Sequence, residues 1–449
     1  MREIPLPQEA ARLIWVLEAA GHAAYVVGGC VRDSLLGRAP EDWDLCTSAL
    51  PEEIFSCLGD VATVLPTGLK HGTVTVLWEG CPFELTTFRT EGSYSDHRRP
   101  DSVAFVRSLE QDLARRDFTV NAMAWNPREG LVDPFGGQDD LAAGLIRCVG
   151  APERRFEEDA LRILRAARFS STTGFAVEET TKRAALCHAP ELLHVAPERL
   201  CAELLKLLCG QAAAQALRDF APLIFTIIPE LAATAETPQH TPHHCCDVWE
   251  HTVRAVGFAP PEPLLRLTML LHDIAKPARR TTDILGVDHF KGHPEAGVPV
   301  SDTVLRRLRL DNASRERVLL LIQHHDVRTP PKPRAVRRML FKLGEEALRQ
   351  LLPIQRADTL AQSEYRRSEK LTRIDGVEAC LNQIIAERQC VSLADLAIKG
   401  GDLAALGIPA GPEMGAILAY LLEQVIDEQL PNDYETLLRE AERLSGGFA

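Results

Sequence analysis

The chain is 449 residues long, with 45% hydrophobic and 6% aromatic residues and a formal net charge of −13 at pH 7. This length exceeds what one hydrophobic core usually holds, so two to four domains are expected. No run of about 18 apolar residues occurs, and the start of the chain lacks a signal-peptide pattern. We therefore predict a cytoplasmic protein without a membrane partner. The 12 cysteines include no C-x-x-C pair and are predicted to be reduced thiols.

Strand-like runs alternate with short helical stretches and glycine turns up to about residue 150, which predicts an α/β head. Helical periodicity then continues to the C terminus, interrupted by the Pro- and His-rich segment Glu236–His244. The predicted fold class is α+β, with a small α/β head followed by an all-helical remainder. We predict four parts: a head (1–150), a helical neck (151–235), a helical body (236–365) and a helical tail (366–449).

The segment Gly28–Thr47 places a Gly-Gly turn and Arg32 a short way ahead of two carboxylates, Asp42 and Asp44. On an extended chain the period of two directs these carboxylates to one face and Trp43 to the other. Such a pair beside a glycine turn suits Mg²⁺ that carries a triphosphate. An isolated D-x-D is more often a solvated loop, but the glycines and arginine upstream favour the metal site.

Four further motifs follow in the order HGTVTV (71–76), RRDFTVNAMAW (115–125), DPFGG (133–137) and EEDALRILRAARF (157–169). Together with G-G-x-V-R-D and D-x-D they resemble the polymerase-β-like nucleotidyltransferases, in the branch of bacterial tRNA nucleotidyltransferases (CCA-adding enzymes) and poly(A) polymerases. The resemblance implies a polymerase-β-like head and untemplated addition of CCA to tRNA 3′ ends from CTP and ATP. It further implies Mg²⁺ at the head, with tRNA as partner, in a monomer or homodimer.

The same resemblance implies roles for residues of the head. Asp42 and Asp44 would hold the catalytic metals, and Glu84 is either a third ligand or part of a strand-end ion pair. The phosphates would be contacted by Gly28, Gly29 and Arg32. A salt bridge to Asp33 is the alternative for Arg32.

Ribose and triphosphate contacts carry over to Arg116, Asp117 and Asn121. Because a 2′-hydroxyl both donates and accepts, Asp117 with Asn121 could distinguish a ribonucleotide from a deoxynucleotide. The alternative for Asp117 is to cap a helix that begins near Phe118.

The segment EEDALRILR predicts the base selection. On a helix, Asp159 and Arg162 would lie side by side at i and i+3. The carboxylate accepts from an exocyclic amine and the guanidinium donates to a ring nitrogen, which fits cytosine and adenine but not uracil or guanine. A surface ion pair is the alternative. Arg165, one turn further on, is predicted to reach toward phosphate.

The polar segment Thr90–Pro100 is predicted to be a loop between strands. In the family that the chain resembles, a flexible loop here is needed for adding adenosine, which argues against an enzyme that adds only cytidines. The segment Ser108–Thr119 looks like the CCA-adding version. A poly(A) polymerase or an A-adding enzyme of the same branch nevertheless stays an alternative.

The motifs HHCCDVWEHT, LLHDIAKP, GHPEAG, LIQHHDV and QRAD resemble the HD phosphohydrolase superfamily. This resemblance assigns one metal set to His251, His272, Asp273 and Asp358, and a second to His293 with His324 or His325. The metal would be Mn²⁺, Ni²⁺, Fe²⁺ or Mg²⁺, and Lys276 could contact phosphate. Phosphohydrolase activity is the implied second function. Two alternatives are an HD signalling hydrolase with an inert head and a non-enzymatic tRNA-binding protein.

Overall fold

The computed structural model describes residues 4–92 and 103–445. The chain divides into two compact units, Met1–Pro229 and Glu230–Ala449. In the described residues the first unit contains the main sheet, whereas the second is helical apart from one short hairpin. The predicted α+β class, with a sheet-containing head and a helical remainder, is confirmed. The division into four parts stays a prediction.

A seven-stranded sheet forms the head, in the order β3-β4-β5-β2-β1-β8-β9. Its strands are β1 (Ala24–Val27), β2 (Asp44–Thr47), β3 (Thr63–Gly68), β4 (Thr73–Trp78), β5 (Cys81–Thr87), β8 (Ala124–Asn126) and β9 (Gly130–Val132). Two short pairs lie outside it, β6 (Arg89–Glu91) with β7 (Val103–Phe105), and β10 (Leu145–Ile146) with β11 (Ala176–Val177). In the main sheet β2 and β5 are parallel and every other pair of neighbours is antiparallel.

Strand β1 is buried on both faces. Val26 packs into the larger hydrophobic cluster of the head, while Tyr25 and Val27 pack into a second cluster. Because both faces are covered, the strand is a continuous apolar run instead of an alternating one. The glycine turn that follows β1 is therefore attached to a strand that is buried along its whole length.

The helices of the first unit surround and follow the sheet. They are α1 (Gln8–Ala19), α2 (Gly29–Leu35), α3 (Pro51–Leu58), α4 (Leu109–Ala114), α5 (Gly137–Ala143), α6 (Pro152–Glu158), α7 (Leu161–Thr173), α8 (Glu179–Cys187), α9 (Pro197–Leu208), α10 (Ala213–Asp219) and α11 (Ala221–Ile227). Helix α7 packs closely against α9, so residues of both reach the same side of the unit.

The second unit is built from helices α12 to α22. They are α12 (Val248–Phe258), α13 (Pro263–Leu271), α14 (Lys276–Arg279), α15 (His293–Arg307), α16 (Asn312–His324), α17 (Pro333–Leu343), α18 (Glu345–Ala361), α19 (Arg367–Ala386), α20 (Gly400–Ala405), α21 (Pro412–Ile426) and α22 (Tyr434–Ser445). Strands β12 (Thr281–Thr282) and β13 (Asp288–His289) form its hairpin. Helices α12, α13, α16 and α18 pack together, and a separate hydrophobic cluster joins α20, α21 and α22. Among the described residues, no helix has the length and apolarity needed to cross a membrane.

Candidate functional site

The glycine turn after β1 brings the chain close to an arginine. Gly28 has φ +82°, and a Cβ at this position would lie 3.2 Å from Nη1 of Arg116. Side chains other than hydrogen disfavour this backbone conformation. Glycine therefore provides both the turn between β1 and α2 and the space that the guanidinium occupies.

The predicted metal-binding carboxylates lie beside this turn. Asp44 begins β2 and is in register with Glu84 on the parallel strand β5, while Trp43 packs against the core of the head. Partial burial, then Glu84 and Asp42, raise the pKa of Asp44, although Arg116 opposes the shift. A divalent cation would relieve this repulsion between carboxylates, so the residues fit the expected Mg²⁺.

A cavity of about 400 Å³ lies next to Asp44. It is bounded by the glycine turn, Asn121, Leu161 and Phe169. Its charged wall consists of three aspartates and seven arginines: Asp44, Asp117, Asp159, Arg32, Arg115, Arg116, Arg162, Arg165, Arg168 and Arg199. On a chain with net charge −13, this excess of guanidinium groups makes the cavity suited to a polyanion such as a triphosphate.

Asp117 is the centre of a hydrogen-bond network in the cavity wall. Its carboxylate accepts from Nδ2 of Asn121 at 3.0 Å and from Nε and Nη2 of Arg165 at 2.8 and 2.6 Å. Burial opposes ionisation, but Arg165 and Asn121 hold the pKa of Asp117 well below its usual range. Oδ1 of Asp117 also accepts from the backbone N–H of Phe118 at 2.8 Å, just before the 3₁₀ turn Thr119–Asn121. The carboxylate therefore binds the start of this turn as well, and its capping role stays a prediction beside the ribose role.

Arg32 forms the ion pair that was its alternative reading. Its Nε and Nη2 donate to Asp33 at 2.9 and 2.8 Å, and its Nη1 donates to Oδ1 of Asn121 at 2.6 Å. The side chain still lines the cavity. Its guanidinium also lies 5.1 Å from the ring centroid of Phe169, which Arg165 and Arg168 approach at 5.2 and 3.7 Å. One aromatic ring thus gathers three cations at this wall of the cavity.

The prediction that Asp159 and Arg162 share one helical face is wrong. Asp159 has extended backbone at the end of α6, and α7 begins only at Leu161. The carboxylate of Asp159 pairs with Arg199 at 2.9 Å, whereas Arg162 pairs with Glu158 at 2.7 Å. Both side chains nevertheless line the same cavity, so the break between α6 and α7 brings them there from separate elements.

Five cavity residues were missed by the sequence reasoning, namely Arg115, Leu161, Arg168, Phe169 and Arg199. Arg115 stands inside the RRDFT motif and could have been found there. Arg199 lies near the start of α9, in a PERL segment that carries no signal beyond a helix start. Only the packing of α9 against α7 brings it to the cavity.

Models of known families match three parts of the chain. The Poly A polymerase head domain matches residues 24–147, the probable RNA and SrmB-binding site of polymerase A matches 174–233, and a putative tRNA nucleotidyltransferase domain 2 matches 298–441. The CCA-adding enzyme of Limosilactobacillus fermentum is 35% identical over 445 residues, which cover 98% of each chain. The chain belongs to the CCA-adding tRNA nucleotidyltransferase family. The resemblance found in the sequence is confirmed.

Other members of the CCA-adding family differ in how much of the chain they match. The enzyme of Geobacillus kaustophilus is 50% identical over 230 residues, which are 51% of this chain and 56% of that relative. This stronger match thus spans only about half of the relative's length. A solved structure of the Bacillus stearothermophilus CCA-adding enzyme in complex with CTP is similar with a TM-score of 0.69 and 32% identity, covering 98% of this chain and 99% of that one.

A second group of candidate ligands lies in the helical unit, around Asp273. Nε2 of His272 lies 3.1 Å and Nε2 of His251 3.4 Å from its Oδ2, while Nε2 of His293 lies 3.2 Å from its Oδ1. Oδ1 of Asp358 completes the group at 2.9 Å from His251. The ligand atoms form two sets that share Asp273, one with His251 and His272 and the other with His293 and His325.

The orientation of three imidazoles suits a positive charge in this group, either a proton or a metal ion. Nδ1 of His272, His293 and His325 lies 2.7, 2.9 and 2.6 Å from backbone carbonyl oxygens, which fixes Nδ1 as the donor. In the neutral form each Nε2 therefore carries a lone pair, yet Nε2 of His293 and His325 are only 3.2 Å apart. A cation between them removes this repulsion, and backbone-anchored imidazoles are the usual support of metal ligands.

Of the two histidines predicted for the second set, His325 lies with Asp273 and His293, and His324 does not. Nδ1 of His324 lies 2.9 Å from the carbonyl oxygen of Leu320, and the metal-capable set contains His325. His325 keeps helical dihedral angles, and successive residues of a helix are rotated by about 100°, so the two side chains point to different sides. Lys276 contacts Asp273 at 2.7 Å and donates to Oε1 of Gln239 at 2.9 Å.

A cavity of about 440 Å³ adjoins the histidine group. Besides the expected Asp273, Lys276 and Asp358, three basic side chains at its edge were missed by the sequence reasoning: Arg328, Lys370 and Lys291. The loop predicted at Thr90–Pro100 lies mostly outside the described residues, so its role stays a prediction.

Proposed function

We propose that this chain adds CCA to tRNA 3′ ends from CTP and ATP, one nucleotide at a time and without a nucleic-acid template. The observation that carries the proposal is a single cavity that contains Asp44, the Asp117–Asn121 pair and both base-reading side chains, Asp159 and Arg162. Family membership supports it, because relatives along the full chain are named CCA-adding enzymes.

In the proposed reaction the RNA 3′-hydroxyl oxygen forms a bond to the α-phosphorus of the nucleotide, and the α–β phosphoanhydride bond breaks. Pyrophosphate leaves, and the hydroxyl proton passes to solvent. Asp42 and Asp44 would hold Mg²⁺, with Glu84 as a candidate third ligand. The bound metal would polarise the phosphoryl group and stabilise both the attacking and the leaving oxygen. Arg32, Arg165 and the other cavity arginines would neutralise the triphosphate.

Base choice would depend on two side chains that are each anchored by another residue. Arg199 holds Asp159, and Glu158 with the carbonyl oxygen of Arg115 holds Arg162. Anchored acceptor and donor groups reject a base with the opposite hydrogen-bond order, because buried groups would be left unpaired. The Asp117–Asn121 pair would contact the ribose 2′-hydroxyl in the same cavity.

The test is incubation of RNA that ends at the discriminator position with each nucleoside triphosphate singly, and then with CTP and ATP together. We expect two cytidines with CTP alone, and a complete CCA end with both. Repeated adenosine addition with ATP alone would favour a poly(A) polymerase. Addition of one adenosine only to RNA that ends in CC would favour an A-adding enzyme.

We propose phosphohydrolase activity as a second function of the helical unit. The two ligand sets that share Asp273, beside a cavity with Lys276, Arg328 and Lys370, support binding of divalent metal and a phosphate ester. The site would hold Mn²⁺, Ni²⁺, Fe²⁺ or Mg²⁺, and a bound metal would polarise the phosphoryl group and activate water.

The second function is tested with 2′,3′-cyclic AMP and p-nitrophenyl phosphate in the presence of each metal in turn. Asp273→Ala should lose hydrolysis and bound metal by elemental analysis, yet keep nucleotide addition. Asp302→Ala is a matched control, because this carboxylate on α15 pairs with Arg306 and Arg315 and does not line the cavity. No turnover with any metal, in protein that elemental analysis finds metal-free, would reduce the unit to a scaffold.

A further inference from the structure

A second cavity, of about 500 Å³, adjoins the same carboxylates in the first unit. It shares Gly29, Arg32, Asp44 and Arg168 with the first cavity, the one of about 400 Å³. Of these two cavities, the second alone includes Asp42. Asp117, Asn121, Asp159 and Arg162 line only the first cavity. The carboxylates therefore stand at the boundary between two spaces, and the four groups assigned to the ribose and base of the incoming nucleotide line only the first of them.

Two cations line only the second cavity, Arg38 after α2 and Lys206 on α9. Both residues are exposed. Within residues 4–92 and 103–445, neither side chain forms a hydrogen bond or an ion pair. In the first cavity, by contrast, Arg165 is paired with Asp117 and Arg199 with Asp159. The charge of Arg38 and Lys206 is thus available to a ligand that is not part of the protein.

The geometry of the proposed transfer reaction identifies this ligand. In an in-line displacement the attacking oxygen and the leaving pyrophosphate lie on opposite sides of the α-phosphorus. If the incoming nucleotide fills the first cavity, its attacker has to approach from a different space that also reaches Asp42 and Asp44. The second cavity meets this condition, and its unpaired cations suit the phosphodiester that precedes a terminal nucleotide.

We propose that the second cavity holds the 3′-terminal nucleotide of the acceptor RNA, and that Arg38 and Lys206 bind its phosphodiester. This assignment rests on the proposed nucleotide addition. It makes the two cations positioning residues, which bring the 3′-hydroxyl to the α-phosphate without contacting the incoming base. Their effect is therefore independent of which nucleotide is added.

The test uses the full chain with Arg38→Ala, Lys206→Ala and the double variant, together with Lys206→Arg. Arg128→Ala is the matched control, an exposed cation between β8 and β9 that lines neither cavity. The probe is a tRNA acceptor stem-loop that ends at the discriminator position. Its Kd is measured across a range of salt concentrations, and KM is measured separately for RNA and for CTP.

We expect each alanine variant to raise Kd and KM for RNA about three- to tenfold and to lower the slope of log Kd against log salt by about 0.7–1. KM for CTP and the preference for CTP over UTP stay as in the wild type. Lys206→Arg restores most of the RNA affinity because the charge is kept. The Arg128→Ala control leaves the salt slope unchanged.

Two results would overturn the assignment. One is wild-type RNA affinity and salt slope in the double variant. The other is a raised KM for CTP with slower pyrophosphorolysis and unchanged RNA binding, which would make the cavity a triphosphate or pyrophosphate site. Failure of the proposed function is distinct from both, since the wild type would then extend no RNA, while the binding measurement needs no turnover.

Discussion

Arg162 offers the sharpest test of how the base is chosen. Its guanidinium donates to Oε2 of Glu158 at 2.7 Å and to the carbonyl oxygen of Arg115 at 2.8 Å. In Arg162→Ala, Glu158 still forms its ion pair with Arg155 at 2.7 Å, so its carboxylate keeps a cationic partner. The carbonyl oxygen loses its donor, which costs about 1–3 kcal/mol of unfolding free energy.

The larger effect of Arg162→Ala is expected on nucleotide choice. A good bidentate contact to a base is worth about 1–3 kcal/mol of discrimination, which corresponds to about five- to 150-fold in the ratio of kcat/KM for CTP to that for UTP. Arg162→Lys keeps the charge but not the planar fork, so it should lose most of the discrimination and little stability.

The assay measures kcat/KM for all four nucleoside triphosphates on one RNA, with RNA affinity and thermal unfolding measured in parallel. Arg154→Ala is the control, because this exposed arginine also approaches Glu158, at 3.4 Å, but does not line the cavity. A wild-type preference for CTP over UTP in Arg162→Ala would refute the reasoning, and the base would have to be read by other groups.

Four further outcomes are expected. Asp44→Asn should reduce nucleotide addition to a few per cent or less, with RNA affinity by fluorescence anisotropy nearly unchanged, since it removes a metal ligand and no RNA contact; strong residual turnover would exclude Asp44 as a ligand. Gly28→Ala should lower the unfolding free energy by about 1–3 kcal/mol and displace Arg116. Gly21→Ala is the control and should cost less, because Gly21 has φ +89° but open space around it. Equal losses of stability in thermal denaturation would show that Arg116 is not involved. The pKa of Asp117 is depressed in the folded chain, so its ionised carboxylate stabilises the fold above the unfolded pKa of about 3.9, and this contribution is lost at lower pH. Asp117→Asn should therefore lower the unfolding free energy at pH 7 and do so progressively less below about pH 4. A difference in unfolding free energy that does not change with pH would contradict this linkage. Deletion of residues 92–99 should allow two cytidines and suppress the adenosine, and normal completion of CCA by the deletion variant on sequencing gels would contradict the proposed loop role.

The head could be predicted well because its signals are local. The apolar run before Gly28 predicts a buried strand, the Gly-Gly pair predicts the turn, and both are observed as β1 and the turn into α2. The spacing of Asp42 and Asp44 predicts a shared face from strand geometry alone. The order of the remaining parts of the head was predicted from the family motifs, because hydrophobic periodicity does not give it.

The pairing of the base-reading residues could not be predicted in the same way. A continuous helix through EEDALRILR is the natural reading, since nothing in this segment is a helix breaker. The break at Asp159 goes together with its ion pair to Arg199, forty residues away in the chain, and only the packing of α7 on α9 makes that pair. Likewise, the choice between His324 and His325 depends on which side of α16 packs toward α13 and α18, and the local sequence pattern does not give this packing.

The arginine-lined cavity has a consequence for how the protein searches for RNA. A chain with net charge −13 repels an arbitrary stretch of nucleic acid at long range, while seven guanidinium groups attract phosphate at one place. Random polyanions in the cell would therefore dissociate quickly, and only a molecule that can put a free end into the cavity gains the full attraction. Occupancy by bulk messenger or ribosomal RNA would stay low, which keeps the enzyme available for short-lived RNA ends.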